Sequence, residues 1–83
     1  MGYKLTYKRS VAKDLAHLSK PTQRRILDKI KTELTSDPER HPLLKGAYAG
    51  LRRLRVGDYR VIYTVQEEEV LVLRIGHRKE VYR

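Results

Sequence analysis

The chain opens on a strict two-residue alternation. In Tyr3-Lys4-Leu5-Thr6-Tyr7-Lys8 the odd positions are apolar or aromatic and the even ones polar, the pattern of a strand with one buried face. The period then becomes helical. Val11, Leu15 and Leu18, with Ala12 and Ala16, predict a first helix, and Ser10 stands where an N-cap is expected. Pro21 sits near the start of a second helix, where its fixed φ and missing N–H are tolerated. Ile26, Leu27, Ile30 and Leu34 form that helix's apolar stripe, with Arg24, Arg25, Asp28, Lys29, Lys31 and Glu33 outside it. Asp37-Pro38 ends it, because a residue before proline avoids the α region. Residues 37–50 hold two prolines and two glycines and read as loop, with Leu43, Leu44 and Tyr48 as anchors.

Three further strands are predicted at 51–56, 59–66 and 70–76. Gly57-Asp58 and Glu67-Glu68-Glu69 join them, short enough for hairpins, so the three make an antiparallel meander with the acidic run at a hairpin tip. The expected order is β-α-α-β-β-β: an α+β domain with an αα-hairpin packed on a four-stranded, mainly antiparallel sheet. Alternation puts Tyr59, Val61, Tyr63 and Val65 on one face and Arg60, Ile62 and Thr64 on the other. In the last strand it groups Leu71, Leu73 and Ile75 against Val70, Val72 and Arg74. Two short helices cover one face of so small a sheet. The other face is then partly apolar and dotted with arginine, a groove rather than a core.

Eighty-three residues make one domain. The absence of cysteine excludes disulfides and thiolate metal sites, and no His/Asp/Glu pair stands at ligand spacing, so neither a metal nor a cofactor is expected. No apolar run approaches the roughly 20 residues that span a bilayer, and no signal-peptide core follows the N-terminus, so the expectation is a cytoplasmic protein without a membrane partner. The net charge of +9 changes the picture most. Residues 51–83 hold 8 Lys/Arg against 5 Asp/Glu, and three of those acids are the run at 67–69, so the remainder is strongly basic. Such a balance points to nucleic acid or an acidic protein.

Arg53 and Arg55, two apart on a strand, share a face, and Arg60 or Arg78 can join them from neighbouring strands. Guanidinium groups gathered on one surface repel unless an anion sits among them, and a phosphate backbone fits their planar donors. Lys13, Lys20, Arg24 and Arg25, with Lys45, Arg52 and Lys79, are candidates for contacts that position a nucleic acid without reading its sequence. His77 is the one side chain near the cluster whose ordinary pKa lies close to neutrality, which makes it an acid/base candidate. Its parity with Leu73 and Ile75 turns it toward the helix side. His17 and His41 have no such neighbours.

Three segments carry a resemblance: Leu44-Lys45-Gly46 in the loop, Arg-Val-Gly-Asp-Tyr-Arg-Val-Ile-Tyr over 55–63, and Arg-Ile-Gly-His-Arg-Lys-Glu-Val-Tyr over 74–82. With the element order, they make the chain resemble the RelE/ParE toxin superfamily of type II toxin–antitoxin systems over nearly its whole length. RelE-type members cleave mRNA in the ribosomal A site; ParE-type members inhibit DNA gyrase. The resemblance to the first implies a toxin acting as a ribosome-dependent endoribonuclease, with mRNA, the ribosome and an acidic RelB-like antitoxin as partners. The alternatives it leaves are a ParE-like gyrase inhibitor and a non-catalytic member that only binds RNA or its antitoxin. Matched residue by residue, the basic pair on the second strand falls on Arg53 and Arg55, the third-strand arginine on Arg60, the later arginine on Arg78 and the C-terminal aromatic on Tyr82. The best-studied branch has lysines in that pair. Arginine here cannot give up its proton to serve as a base, so the pair is left to stabilise charge.

Overall fold

A computed structural model describes residues 2–79. The first strand, β1, runs over Lys4–Tyr7, followed by helices α1 (Val11–Ala16) and α2 (Lys20–Leu34). Two 3₁₀ turns, Pro38–Arg40 and Gly46–Tyr48, interrupt the loop before strands β2 (Arg52–Val56), β3 (Tyr59–Gln66) and β4 (Glu69–His77). The sheet order is β1-β4-β3-β2: β2, β3 and β4 form the antiparallel meander, and β1 returns to pair in parallel with β4.

The helical stripe does what its spacing requires. Ile26, Ile30 and Leu34 from α2, with Val11 from α1, are buried against Leu54, Val56, Val61, Tyr63, Val70, Val72 and Ile75 on one face of the sheet. The cap lies later than the sequence suggests. Ser10 makes no side-chain cap, whereas the Ser19 hydroxyl accepts the Thr22 N–H at 3.3 Å and begins α2, with Pro21 in its first turn. Leu18 falls just outside α1 but still packs on the core.

Strict alternation fails in β4. Tyr63 pairs with Val72 and Ile62 with Arg74, so Leu73 is an extra residue, a β-bulge. The bulge lets Val70, Val72 and Ile75 all reach the core, although Val72 and Ile75 are three apart. The expected grouping of Leu73 with Ile75, and of Arg74 with Val72, is therefore corrected: Val70 and Val72 join Ile75 on the helix side, while Arg74 keeps the opposite face beside Ile62. Beyond Val72 the edge of β4 has no strand partner in β1, and α1 covers it instead. The Asp14 carboxylate accepts the Ile75 N–H at 2.9 Å, satisfying a donor that an open edge would expose.

The loop is held differently from the expectation. Leu43 is 55% exposed and anchors through its backbone, as an isolated bridge to Arg52, while Leu44 N–H donates to the Leu51 carbonyl. The acidic run is also divided. Glu67 and Glu68 make the turn, whereas Glu69 is the first residue of β4 and its carboxylate accepts the Thr6 hydroxyl at 2.9 Å.

Candidate nucleic-acid interface

The face of the sheet turned from the helices is built by register. Arg55 lies directly opposite Arg60, and Arg60 opposite Gly76; Arg53 lies opposite Ile62, and Ile62 opposite Arg74. Two adjacent rows thus carry Arg55, Arg60 and Gly76 in one, and Arg53, Ile62 and Arg74 in the other. The β2–β3 turn fixes this register. Gly57 adopts φ +60, which a tight two-residue hairpin turn needs and an L side chain resists. Like charges opposite each other on neighbouring strands weaken a sheet, and Arg55 and Arg60 stand in that relation.

The face is only partly open. Ile62 is 3% exposed yet lies outside the helix-side core, and Arg60 is 8% exposed in the central strand. Arg55 is exposed and Arg53 half-buried at the sheet's flank. Arg78 is exposed just past β4, and its N–H donates to the Asp58 carbonyl at 2.9 Å, tying the end of β4 to the β2–β3 turn. Among the described residues the ion pairs are Lys29–Glu33, His41–Glu33 and Arg74–Asp14, and none engages Arg53, Arg55 or Arg78. The structure thus places Arg53, Arg55 and Arg60 on one face. Arg74, absent from the sequence candidates, stands on the same side beside Ile62, where its alternation against Ile75 already puts it.

The remaining candidates divide. His77 lies on the helix side, as its parity with Ile75 implies, its ring edge-to-face with Tyr59 at 5.8 Å. Its Nδ1 accepts the Lys79 N–H at 3.2 Å, which puts the neutral ring's proton on Nε2 and leaves Nδ1 committed as an acceptor. Arg52 is turned away from the groove. Its guanidinium donates to the carbonyls of Glu39 at 3.0 Å and His41 at 2.7 Å, pinning the loop before β2. His41 does have neighbours: Glu33 Oε1 at 3.3 Å and the edge of the Tyr63 ring, on the helix side of the sheet. Lys13, Lys20, Arg24, Lys45 and Lys79 are exposed, dispersed over the helices, the loop and the end of β4. Exposed Arg25 reaches the β2–β3 turn, its Nη2 3.1 Å from where a Cβ on Gly57 would lie. Tyr82 lies outside the described residues.

The same architecture recurs in known proteins. Residues 5–82 match the family described as the ParE toxin of the type II toxin–antitoxin system parDE. The chain is a RelE/ParE-superfamily toxin. Toxin RelG of Mycobacterium tuberculosis is 32% identical to this toxin over 90 aligned positions, covering 100% of this chain and 99% of RelG. The RelBE2 toxin–antitoxin complex of the same organism contains a chain that superposes with a TM-score of 0.87 at 25% identity, covering 94% of this toxin and 100% of that chain. A chain of the archaeal RelE–RelB complex of Pyrococcus horikoshii OT3 superposes at 0.73 with 31% identity, covering 98% and 100%. No helix among the described residues of this toxin is long and apolar enough to cross a membrane.

Proposed function

We propose that this toxin is a ribosome-dependent endoribonuclease that cuts translated mRNA without a metal. The observation that carries the reading is the register that sets Arg53, Arg55 and Arg60 on one sheet face, with Arg78 at its end. Metal-free cleavage requires that the 2′-hydroxyl lose a proton, that the pentavalent phosphorane be stabilised, and that the departing 5′-oxygen gain a proton. The arginines suit the middle task, since each offers planar donors to phosphate oxygens and stays charged. Tyr82 is the proposed proton-transfer or base-stacking residue, on the strength of its place in the family motif. His77 serves less well, because it stands on the opposite face with Nδ1 engaged. Lacking a well-placed base, the toxin cuts free RNA slowly and depends on the ribosome to orient the substrate.

A cognate antitoxin is the second partner in this reading. Relatives at 25–31% identity are solved as complexes with RelB-type antitoxins. An apolar groove of about 370 Å³ among Tyr7, Val11, Leu15 and Leu27, rimmed by Lys8 and Arg9, suits an acidic amphipathic segment of that antitoxin. Tyr7 is 39% exposed there, so Tyr7→Asp should weaken toxin–antitoxin association in titration calorimetry; unchanged affinity would place the antitoxin elsewhere.

The rival reading is inhibition of DNA gyrase, favoured by the ParE name of the matching family and by arginines where the nuclease branch has lysines. Primer extension on mRNA in a translating extract, run beside a gyrase supercoiling assay, separates the two. Discrete new 5′ ends with unaffected gyrase support cleavage. Blocked supercoiling with intact mRNA supports the rival.

A further inference from the structure

On the helix side of β4, α1 and the sheet border an open cleft of about 580 Å³, within the range of small-ligand sites. Tyr59 and His77 give it aromatic walls and Leu18 an aliphatic one. Two opposite charges stand in it. The Asp14 carboxylate is half-buried, with Oδ2 holding the Ile75 N–H at 2.9 Å and the Arg74 Nε at 3.6 Å. No hydrogen bond or ion pair among the described residues takes Asp14 Oδ1 or the terminal nitrogens of Arg74. Two of its lining residues also belong to the rows of the arginine face by register. Gly76 lines it and is the cross-strand partner of Arg60, and Arg74 lines it and is the partner of Ile62.

We propose that this cleft is a nucleobase subsite selective for guanine, a reading that rests on RNA binding at the arginine face. Flat apolar and aromatic walls accept any base by stacking, so the polar groups decide which. A carboxylate only accepts hydrogen bonds, and guanine alone among the four bases offers two adjacent donors, N1–H and the 2-amino group, on one edge. Its other edge carries the acceptors O6 and N7, the usual partners of an arginine. Asp14 and Arg74 supply that complementary pair. Adenine, cytosine and uracil each leave the carboxylate with a single donor. A phosphate held by the arginine row would direct the attached base over Gly76 into the cleft.

The probes are guanosine 5′-monophosphate and inosine 5′-monophosphate, which share phosphate, O6 and N7 and differ only in the 2-amino group. Binding to the free toxin is followed by ¹H–¹⁵N NMR, in which the Ile75 amide reports directly because it donates to Asp14. The guanine nucleotide should shift Ile75 and His77 and bind about tenfold more tightly than the inosine nucleotide. Asp14→Asn keeps an oxygen for the Ile75 N–H and should abolish the difference. Arg74→Gln should weaken both nucleotides equally, and it keeps the test alive if the first variant does not fold. Equal affinities in the parent toxin, no binding, or shifts confined to the arginine face overturn the proposal. Guanine preference in the cleft without mRNA cutting would leave the subsite standing and remove the nuclease reading. Cutting without any guanine–inosine difference would do the reverse.

Discussion

Along β3, side chains alternate between two environments that obey different rules. Val61 and Tyr63 point into a face where every large apolar group meets another, and the one buried hydroxyl there, on Tyr63, donates to the Pro38 carbonyl. Arg60 and Ile62 point the other way, into rows that bring Arg53, Arg55 and Arg74 together. The first face lowers the free energy of the fold through apolar burial. The second sets Arg55 opposite Arg60, a like-charge pairing that by itself weakens a sheet, with Arg74 tied to Asp14 at its margin. In the proposed function the arginine face holds the scissile phosphate and the helix face holds most of the apolar burial, so substitutions on the two faces should separate in their effects.

The sharpest break on the helix side is Ile30→Ala. It removes a fully buried side chain between α2 and the sheet and should cost about 3 kcal/mol, seen as a lower midpoint in urea. In so small a domain that is a large share of the total. Activity per folded molecule should not change, since Ile30 touches nothing on the arginine face.

Tyr63 gives the next effect, and one that depends on pH. Burial, the main cause, pushes its hydroxyl pKa up to about 12 from the ordinary 10.0, with Arg52 acting in the opposite sense. Below pH 10 both the folded and unfolded forms hold the proton and this contribution is fully present. As pH rises toward 12 the unfolded chain releases the proton first, and roughly 2–3 kcal/mol of stability drains away. Tyr63→Phe should flatten that alkaline loss in a pH series of thermal melts. At neutral pH it should cost about 1 kcal/mol for the lost bond to Pro38. An unchanged alkaline limb would show that another group sets it.

The smallest effect lies at the edge between the faces. Glu67 holds φ +56 in the β3–β4 turn, a conformation that suits glycine, whereas the matching turn at Gly57 already has one. Glu67→Gly should stabilise by about 1 kcal/mol and leave the register intact. A loss of stability would mean that the Glu67 side chain is a needed part of the turn.

The sequence made much of this separation legible. Period two over residues 3–8 and 59–66, period 3.6 around Ile26, Ile30 and Leu34, and two short turns were enough to place the layers and to put Arg53, Arg55 and Arg60 together. What it hid has a common cause in non-local contacts. The bulge at Leu73 answers to the spacing of core positions against β3, and it brings Val70 and Val72 to the helix side, where strict alternation from Ile75 does not put them. Arg52 has the same composition and local context as Arg53, yet parity and the carbonyls of Glu39 and His41 draw it into loop anchoring. Leu43 looked like an anchor by hydropathy, but its backbone does the holding. Parity with Ile75 alone sets His77 on the helix side, while the Asp14 and Arg74 that share its cleft meet it only through the packing of α1 across the β4 edge.

The central claim, that the arginine face carries the activity while the helix face carries the fold, is tested most directly by one variant. Arg53, Arg55 and Arg78 are replaced together by alanine, and mRNA cleavage in a translating extract is read by primer extension beside a thermal melt of the same preparation. The account predicts a midpoint within a few degrees of the parent, and a cleavage rate lower by at least about a hundredfold, the scale of losing even one donor to a developing charge. A folded triple variant that cuts at the parent rate would contradict it.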